Sequence, residues 1–290
     1  MGLRLKFNLV LLVVFVLGLG VTAYISWGLL QKNARDEVVR NADLMMEAAL
    51  AIRAYTVDQV RPQLDLQLMR VFLPQSVPAY AATETLGQIR KKYADYTYKE
   101  ATLNPTNPRN RAADWEADLV QEFKNRAGLG EMIGERDTPT GRSLYIARPI
   151  KITNPACLPC HSTPDAAPPT MIKYYGPANG FGWKLNDIIG AQVVSVPMTL
   201  PFRNAQRAFF AFMGSLAAVF VAVFVVLNVM LNRMIVKPIS RMSRAADQVS
   251  TGDFAIPEFA EKGRDEIAVL GRAFNRMRRS LQKAMQMIEG

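Results

Sequence analysis

The chain of 290 residues carries 35 Lys and Arg against 25 Asp and Glu, for a formal charge of +10, and half of its residues are hydrophobic. The excess is spread thinly, four charges in residues 32–207, four in 233–290 and two from Arg4 and Lys6, so no segment is basic enough for a nucleic-acid partner. With one His and two Cys in the whole chain, bis-histidine ligation of a metal within one chain is excluded.

Two charge-free apolar runs, residues 7–30 and 208–232, each exceed the roughly 20 residues a helix needs to cross about 30 Å of hydrocarbon. Both read as transmembrane helices. The first is longer than the apolar stretch of a signal peptide and closes with YISWGLLQK, so it is read as a retained anchor in residues 1–31. Tyr24, Trp27, Phe209 and Phe210 suit membrane interfaces. Arg233, Lys237, Arg241 and Arg244 crowd the exit of the second span, and Arg4 and Lys6 precede the first. By the positive-inside rule both termini are cytoplasmic, and residues 32–207 lie on the far side of the membrane; the bacterial resemblances given below imply that this is the inner membrane and the far side the periplasm.

Beyond the first span, Val38, Ala42, Met45, Ala49 and Ile52 keep a four-three spacing, so the incoming helix continues to about Thr56. Pro62 and Pro78 are placed to open further helices, the second reaching Tyr93, because proline costs nothing in a first turn. YTYKEATLNP alternates as a strand, and AADWEADLVQEFKNRAG reads as a helix with an acidic start and a glycine exit. EMIGERDT and RSLYIARPIKI flank the turn PTG as a hairpin, and GAQVVSVPM supplies a last strand. The expectation is an α+β domain, an antiparallel sheet with flanking helices, held between two membrane helices.

ACLPCHSTP, between the hairpin and the last strand, holds both cysteines and the histidine. Three chemistries compete. A thioredoxin-like pair needs a following helix to depress the first thiol's pKa, and STPDAAPPT, with three prolines, argues against one. A zinc site needs a fourth ligand that would have to be a carboxylate or water. Cys-x-x-Cys-His accounts for all three residues together: Cys157 and Cys160 as thioether attachments for one haem c per chain, and His161 as the proximal iron ligand.

NPTNPRN (104–110), ARPI (147–150), CLPCHSTPDAAP (157–168), GFGWK (180–184) and GAQVVSVP (190–197), in that order, resemble a bacterial family of periplasmic c-type haem, PAS-like sensor domains with a cyanobacterial representative. The resemblance spans about residues 35–200 and implies redox or small-ligand sensing. It also exposes a departure. The representative holds iron on its distal side through a cysteine, and this chain has none left over. The resemblance places the distal residue in the amino-terminal part. Met46, flanking the helical stripe, is the preferred candidate there, with Met45 as its packing neighbour. Met69, Met171, a weak Lys or Tyr ligand and an open position remain alternatives. Gly176, Gly180 and Gly182 either admit a porphyrin close to the backbone or serve as turn glycines. Phe181 and Trp183 are either porphyrin contacts or core aromatics. Arg148 is either a propionate partner or an outward strand arginine.

After the second span (208–232), apolar residues recur at Ile235, Ile239, Met242, Ala246 and Val249, then at Ile267, Leu270, Phe274, Met277 and Leu281. The connector between them contains Gly252, Pro257 and Gly263. Two such seams joined by a connector suit a parallel four-helix coiled coil made by two chains. Pro238, STGDF and RDEIAVLGRAFNRM resemble the HAMP linker of bacterial membrane receptors, which implies a homodimer whose helices shift between packings, with Glu266 at a helix start. Residues 233–290 are assigned to it. Only QKAMQMIEG follows Leu281, so the expectation is an output partner in trans, a kinase or cyclase, and no enzymatic activity in this chain. The leading reading is therefore a transmembrane haem sensor of redox state or a diatomic gas. A membrane-anchored cytochrome fed by an electron donor is the rival, and a peroxidase would lack its distal histidine.

Overall fold

The computed structural model describes residues 2–126, 128–259 and 263–289. They divide into two compact units, Trp27–Ala208 and the stretches on either side of it.

No proline occurs before Pro62, and helix α1 (Leu3–Tyr55) is accordingly unbroken. It passes into a π-helical segment, Thr56–Val60, then into short α2 (Arg61–Gln63), with Pro62 in its first turn, and α3 (Asp65–Leu68). Pro78 opens α4 (Pro78–Lys92), as its position predicts. Two helical stretches, Arg4–Gln63 and Thr199–Ser250, contain windows of mean hydropathy 2.5 and 2.7, apolar and long enough to cross a membrane.

The sheet contains β1 (Thr97–Thr102), β2 (Met132–Thr138), β3 (Gly141–Lys151) and β4 (Ile188–Pro197) in the order β1-β4-β3-β2, every pair antiparallel. The β2–β3 hairpin pairs Thr138 with Gly141 around the expected turn. Strand alternation divides its faces. Leu144 and Ile146 of β3 and Val194 and Val196 of β4 pack on Val38, Ala42 and Met46 of α1. Ala147, Ala191, Val193 and Ala101 of β1 meet Leu119, Val120 and Phe123 of α5 (Asp114–Asn125) on the other face. The sheet lies between two helical layers, and the register Ile146↔Val194 and Ala147↔Val193 keeps each set on its own side.

The stripe on α1 differs from the expected one. Ala34, Val38, Ala42, Met46 and Ala49 are buried, whereas Met45 is only partly covered. A strict four-three spacing belongs to a supercoiled seam of period 3.5. A helix lying on a sheet keeps about 3.6 residues per turn, and its buried line drifts onto Met46.

Short α6 (Leu158–His161) and α7 (Pro169–Tyr175) lie between β3 and β4. In the other unit, the rings of Phe15 on α1 and Phe220 on α8 (Thr199–Met230) stack at 4.6 Å. A second π-helical segment, Leu231–Val236, leads to α9 (Lys237–Ser250), with Pro238 in its first turn. Helix α10 (Glu266–Glu289) starts at Glu266, and the Asp265 carboxylate accepts the Ala268 N–H at 2.8 Å as its cap. Met242, Ala245 and Val249 are buried, so the inward line of α9 passes through Ala245 rather than the expected Ala246. Leu270, Met277 and Leu281, by contrast, are each more than 40% exposed in the single chain.

Buried Asn275 clamps the connector to α10, accepting from the Phe259 N–H at 3.0 Å and donating to the Phe259 carbonyl at 2.9 Å. Asn275→Ala leaves both backbone groups short of a partner and is expected to cost about 2 kcal/mol locally. Faster amide exchange at Phe259, with exchange in β3 unchanged, is the check.

Candidate functional site

A cavity of about 650 Å³ lies in the unit Trp27–Ala208, within the roughly 300–1,000 Å³ range of cofactor pockets. Cys157, Cys160 and His161 all line it. Their loop is anchored at the sheet, where the Ile152 N–H donates to the Asp187 carbonyl and the Asn186 N–H to the Ile152 carbonyl. The Asn154 side chain accepts from the Ala156 N–H at 2.9 Å and caps the turn that leads into α6. Cys-x-x-Cys-His thus winds through one helical turn, which carries all three side chains to the same cavity.

The GFGW stretch lies alongside. The Gly182 N–H donates to the Ser162 carbonyl at 3.0 Å and the Trp183 N–H to the His161 carbonyl at 3.2 Å. The Trp183 and His161 rings stack with centroids 3.8 Å apart and planes 13° apart. His161 Nδ1 lies 2.8 Å from the Gly180 carbonyl oxygen. A carbonyl only accepts, so Nδ1 carries the hydrogen and Nε2 keeps its lone pair. Burial holds the imidazole pKa below its ordinary value, with the Gly180 hydrogen bond pulling the other way. A neutral imidazole with Nδ1–H pinned to a carbonyl is the form that ligates a metal through Nε2.

Asn104 and Thr106 hold Gly180 in turn. The Gly180 N–H donates to Asn104 Oδ1 at 3.2 Å. Gly180 has φ +86°, and a Cβ there would run into Thr106, coming within 2.8 Å of its Cα. Glycine is required at 180 by both sterics and backbone sign. Gly176, with φ +80°, instead ends α7, its N–H donating to the Ile172 carbonyl at 2.7 Å.

Both cysteines are free thiols. Burial pushes their pKa values up, while Arg61, and for Cys157 also Arg53, pulls them down. A redox-active pair needs the opposite, a depressed thiol at the start of a long helix, and α6 has four residues. Among the described residues, no group of three or more His, Cys, Asp or Glu is arranged to hold a metal ion. That donor set does not make a closed zinc site. Two thiols and a pinned imidazole on one cofactor-sized cavity fit a covalently held haem.

Two of the residues weighed as participants lie elsewhere. Met46 is fully buried in the α1–sheet cluster and is not among the residues that line the cavity. Met46→Ala is expected to cost about 2–5 kcal/mol in thermal or denaturant unfolding and to leave the haem spectrum of the holoprotein unchanged. Arg148 is also off the cavity, paired with Asp43 at 3.0 Å, Glu47 at 2.6 Å and Glu131 at 2.7 Å. It ties β3 to α1 rather than meeting a propionate. Of the other methionines considered, Met69 is 82% exposed, while Met171 lies at the cavity wall.

Other wall residues carry no sequence signature. Arg53 and Glu100 both line the cavity, and the Arg53 guanidinium grips the Glu100 carboxylate with contacts of 2.5 and 2.6 Å. The Tyr98 hydroxyl donates to Glu100 at 2.8 Å and accepts from Gln192 Nε2 at 3.2 Å. Arg61 and the π-helical residues Val57 and Asp58 complete this side. Only strand alternation hints at the set, since Tyr98, Glu100 and Gln192 share the α1 face of the sheet.

No curated protein matches the chain. Among solved structures, that of the cyanobacterial heme-protein Tll0287 is similar, at 16% identity and a TM-score of 0.44 over 56% of this chain and 95% of that one. The HAMP domain profile matches residues 230–283. The Tll0287-like profile matches residues 31–197, more than half of the chain, and the chain therefore belongs to the Tll0287-like family, here joined to a HAMP domain.

Proposed function

We propose that this protein is a two-pass inner-membrane sensor with a PAS-like periplasmic domain that carries one haem c. Cys157 and Cys160 hold the haem covalently and His161 ligates its iron. A cytoplasmic HAMP homodimer passes the signal to a kinase or cyclase on another chain. The observation that carries the reading is the placement of Cys157, Cys160 and a His161 with Nδ1 held by the Gly180 carbonyl on one cofactor-sized cavity. Haem would supply an iron whose charge and ligation respond to redox state or to a small ligand.

The protein's own residues do the rest. His161 Nε2 offers the lone pair, Gly180 fixes its tautomer, and Trp183 holds the ring plane. Arg53, from the last turns of α1, brings that helix to the cavity wall, so a change of charge inside acts on the helix that leads from the membrane. A ligand state shifts a conformational equilibrium only by its differential free energy in the two arrangements, and a guanidinium at the wall is a group whose energy differs. The exposed seam at Leu270, Met277 and Leu281 is what a second copy would cover. An electron carrier would use the same cavity but leave the HAMP domain without a task.

The test uses the full chain matured in a host competent for cytochrome c assembly and placed in lipid nanodiscs. Intact mass should show one porphyrin adduct. Hydrogen exchange in residues 237–259 and 266–289 should then differ between ferric and ferrous protein. An adduct with identical exchange in both states would leave a cytochrome and no sensor.

A further inference from the structure

We infer that the cavity keeps an open iron-ligand position on the wall made by Ala54 and Val57, beside Arg61. It would take a molecule of two or three atoms whose outer atom carries negative charge. The inference rests on the haem reading above and goes beyond it by naming the ligand class and the residues that receive it.

The first support is where the internal candidates for that position lie. Met46 is in the core. Met171 borders the cavity but is 2% exposed. The cavity is wide enough to admit water, so a thioether projecting into it would retain accessible surface, and Met171 therefore forms part of the wall without projecting from it. The Tyr80 ring lies under the Arg109 guanidinium at 4.9 Å. Tyr175 makes an edge contact with Phe72 at 6.0 Å and shares a hydrogen bond with Asn107. Lys151 also lines the cavity, from the end of β3 and not from the helix that carries Ala54 and Val57.

The second support is the wall itself. Ala54 is exposed and Val57 half-buried, and neither has a donor atom. Two cations flank them. Arg53 is neutralised by Glu100. The half-buried Arg61 side chain has no hydrogen bond or ion pair among the described residues. The carboxylates on this side are Glu100, engaged by Arg53 and Tyr98, and Asp58, which is solvent-exposed. A cavity wall with apolar carbon at its centre and one uncommitted guanidinium at its rim stabilises negative charge on a small guest and offers nothing that competes with it. The backbone here is π-helical over Thr56–Val60, a conformation found frequently at functional sites.

The experiment uses the full-length holoprotein, with cyanide as the probe for ferric iron and resonance Raman scattering for coordination. The ferrous protein should be five-coordinate and high-spin. Arg61→Leu should raise the cyanide Kd about tenfold, as loss of one charge-assisted hydrogen bond requires, and Arg61→Lys should recover part of it. Ala54→Met, which places a thioether at the wall, should convert the iron to six-coordinate low-spin and weaken cyanide at least as much. Six-coordinate low-spin iron in the unsubstituted ferrous protein, or an unchanged cyanide Kd in Arg61→Leu, overturns the inference while leaving haem attachment intact. Absence of the porphyrin adduct defeats the haem reading and this inference together. Covalent haem content, read by mass on each variant, separates a folding defect from a binding defect.

Discussion

Protein carrying both Cys157→Ser and Cys160→Ser is expected to mature without any covalent porphyrin, whereas each single substitution keeps one thioether. Intact mass and extraction into acidified organic solvent read the difference, since only a thioether-bound porphyrin stays with the polypeptide. Serine preserves size and hydrogen bonding at two half-buried positions, so loss of the adduct reports sulfur chemistry rather than collapse of the loop. His161→Ala probes a different function. It should leave both thioethers but remove the proximal ligand and empty the place stacked on Trp183. If the double serine variant still carried a porphyrin through extraction, attachment through this loop would be wrong.

The second large effect is expected at Glu100. Its side chain is 4% exposed and receives both the Arg53 guanidinium and the Tyr98 hydroxyl. Glu100→Ala strands a guanidinium that is three-quarters buried and a phenol that has lost its acceptor. Breaking a buried pair from one side costs about 3–5 kcal/mol, and at about 2–4 °C per kcal/mol for a domain of this size the Tm should fall by about 6–20 °C. Combining Glu100→Leu with Arg53→Met removes both charges and should recover much of the loss. The same cluster has an alkaline limit. Burial, with the Glu100 charge adding to it, raises the Tyr98 pKa well above its ordinary value. The unfolded chain then releases that proton first as pH passes about 10, and stability declines from there upward. Tyr98→Phe should flatten the decline in a chemical-denaturation series from pH 8 to 11.

How much of this was readable beforehand follows from how local each signal is. The hairpin and the helices opened by Pro62 and Pro78 are written in turn residues and in periods of 2 and 3.6, whereas the strand order β1-β4-β3-β2 is not. The two membrane candidates and the HAMP pattern are written in composition and spacing. The Cys-x-x-Cys-His triplet is contiguous, so it reaches one place whatever the fold does. Met46 marks where this legibility stops. Periodicity shows that one methionine of the pair faces inward, but a single residue's phase depends on whether the helix lies on a sheet or in a coiled coil. The partners of Arg148 were equally illegible, because three carboxylates from α1 and the segment before β2 claim it only after the chain has folded.

The sequence by itself therefore determined the membrane-spanning candidates, the α+β alternation, the HAMP signature and the adjacency of two thiols and an imidazole. Each is carried by neighbours along the chain. Tertiary structure alone decided that Gly180 and Asn104, 76 residues apart, hold the histidine tautomer, and that Arg53 and Glu100, 47 apart, wall the cavity. It also decided that the methionine picked from the pattern lies in the core. Such pairings depend on helix phase and strand register, which long-range packing sets and no local period records.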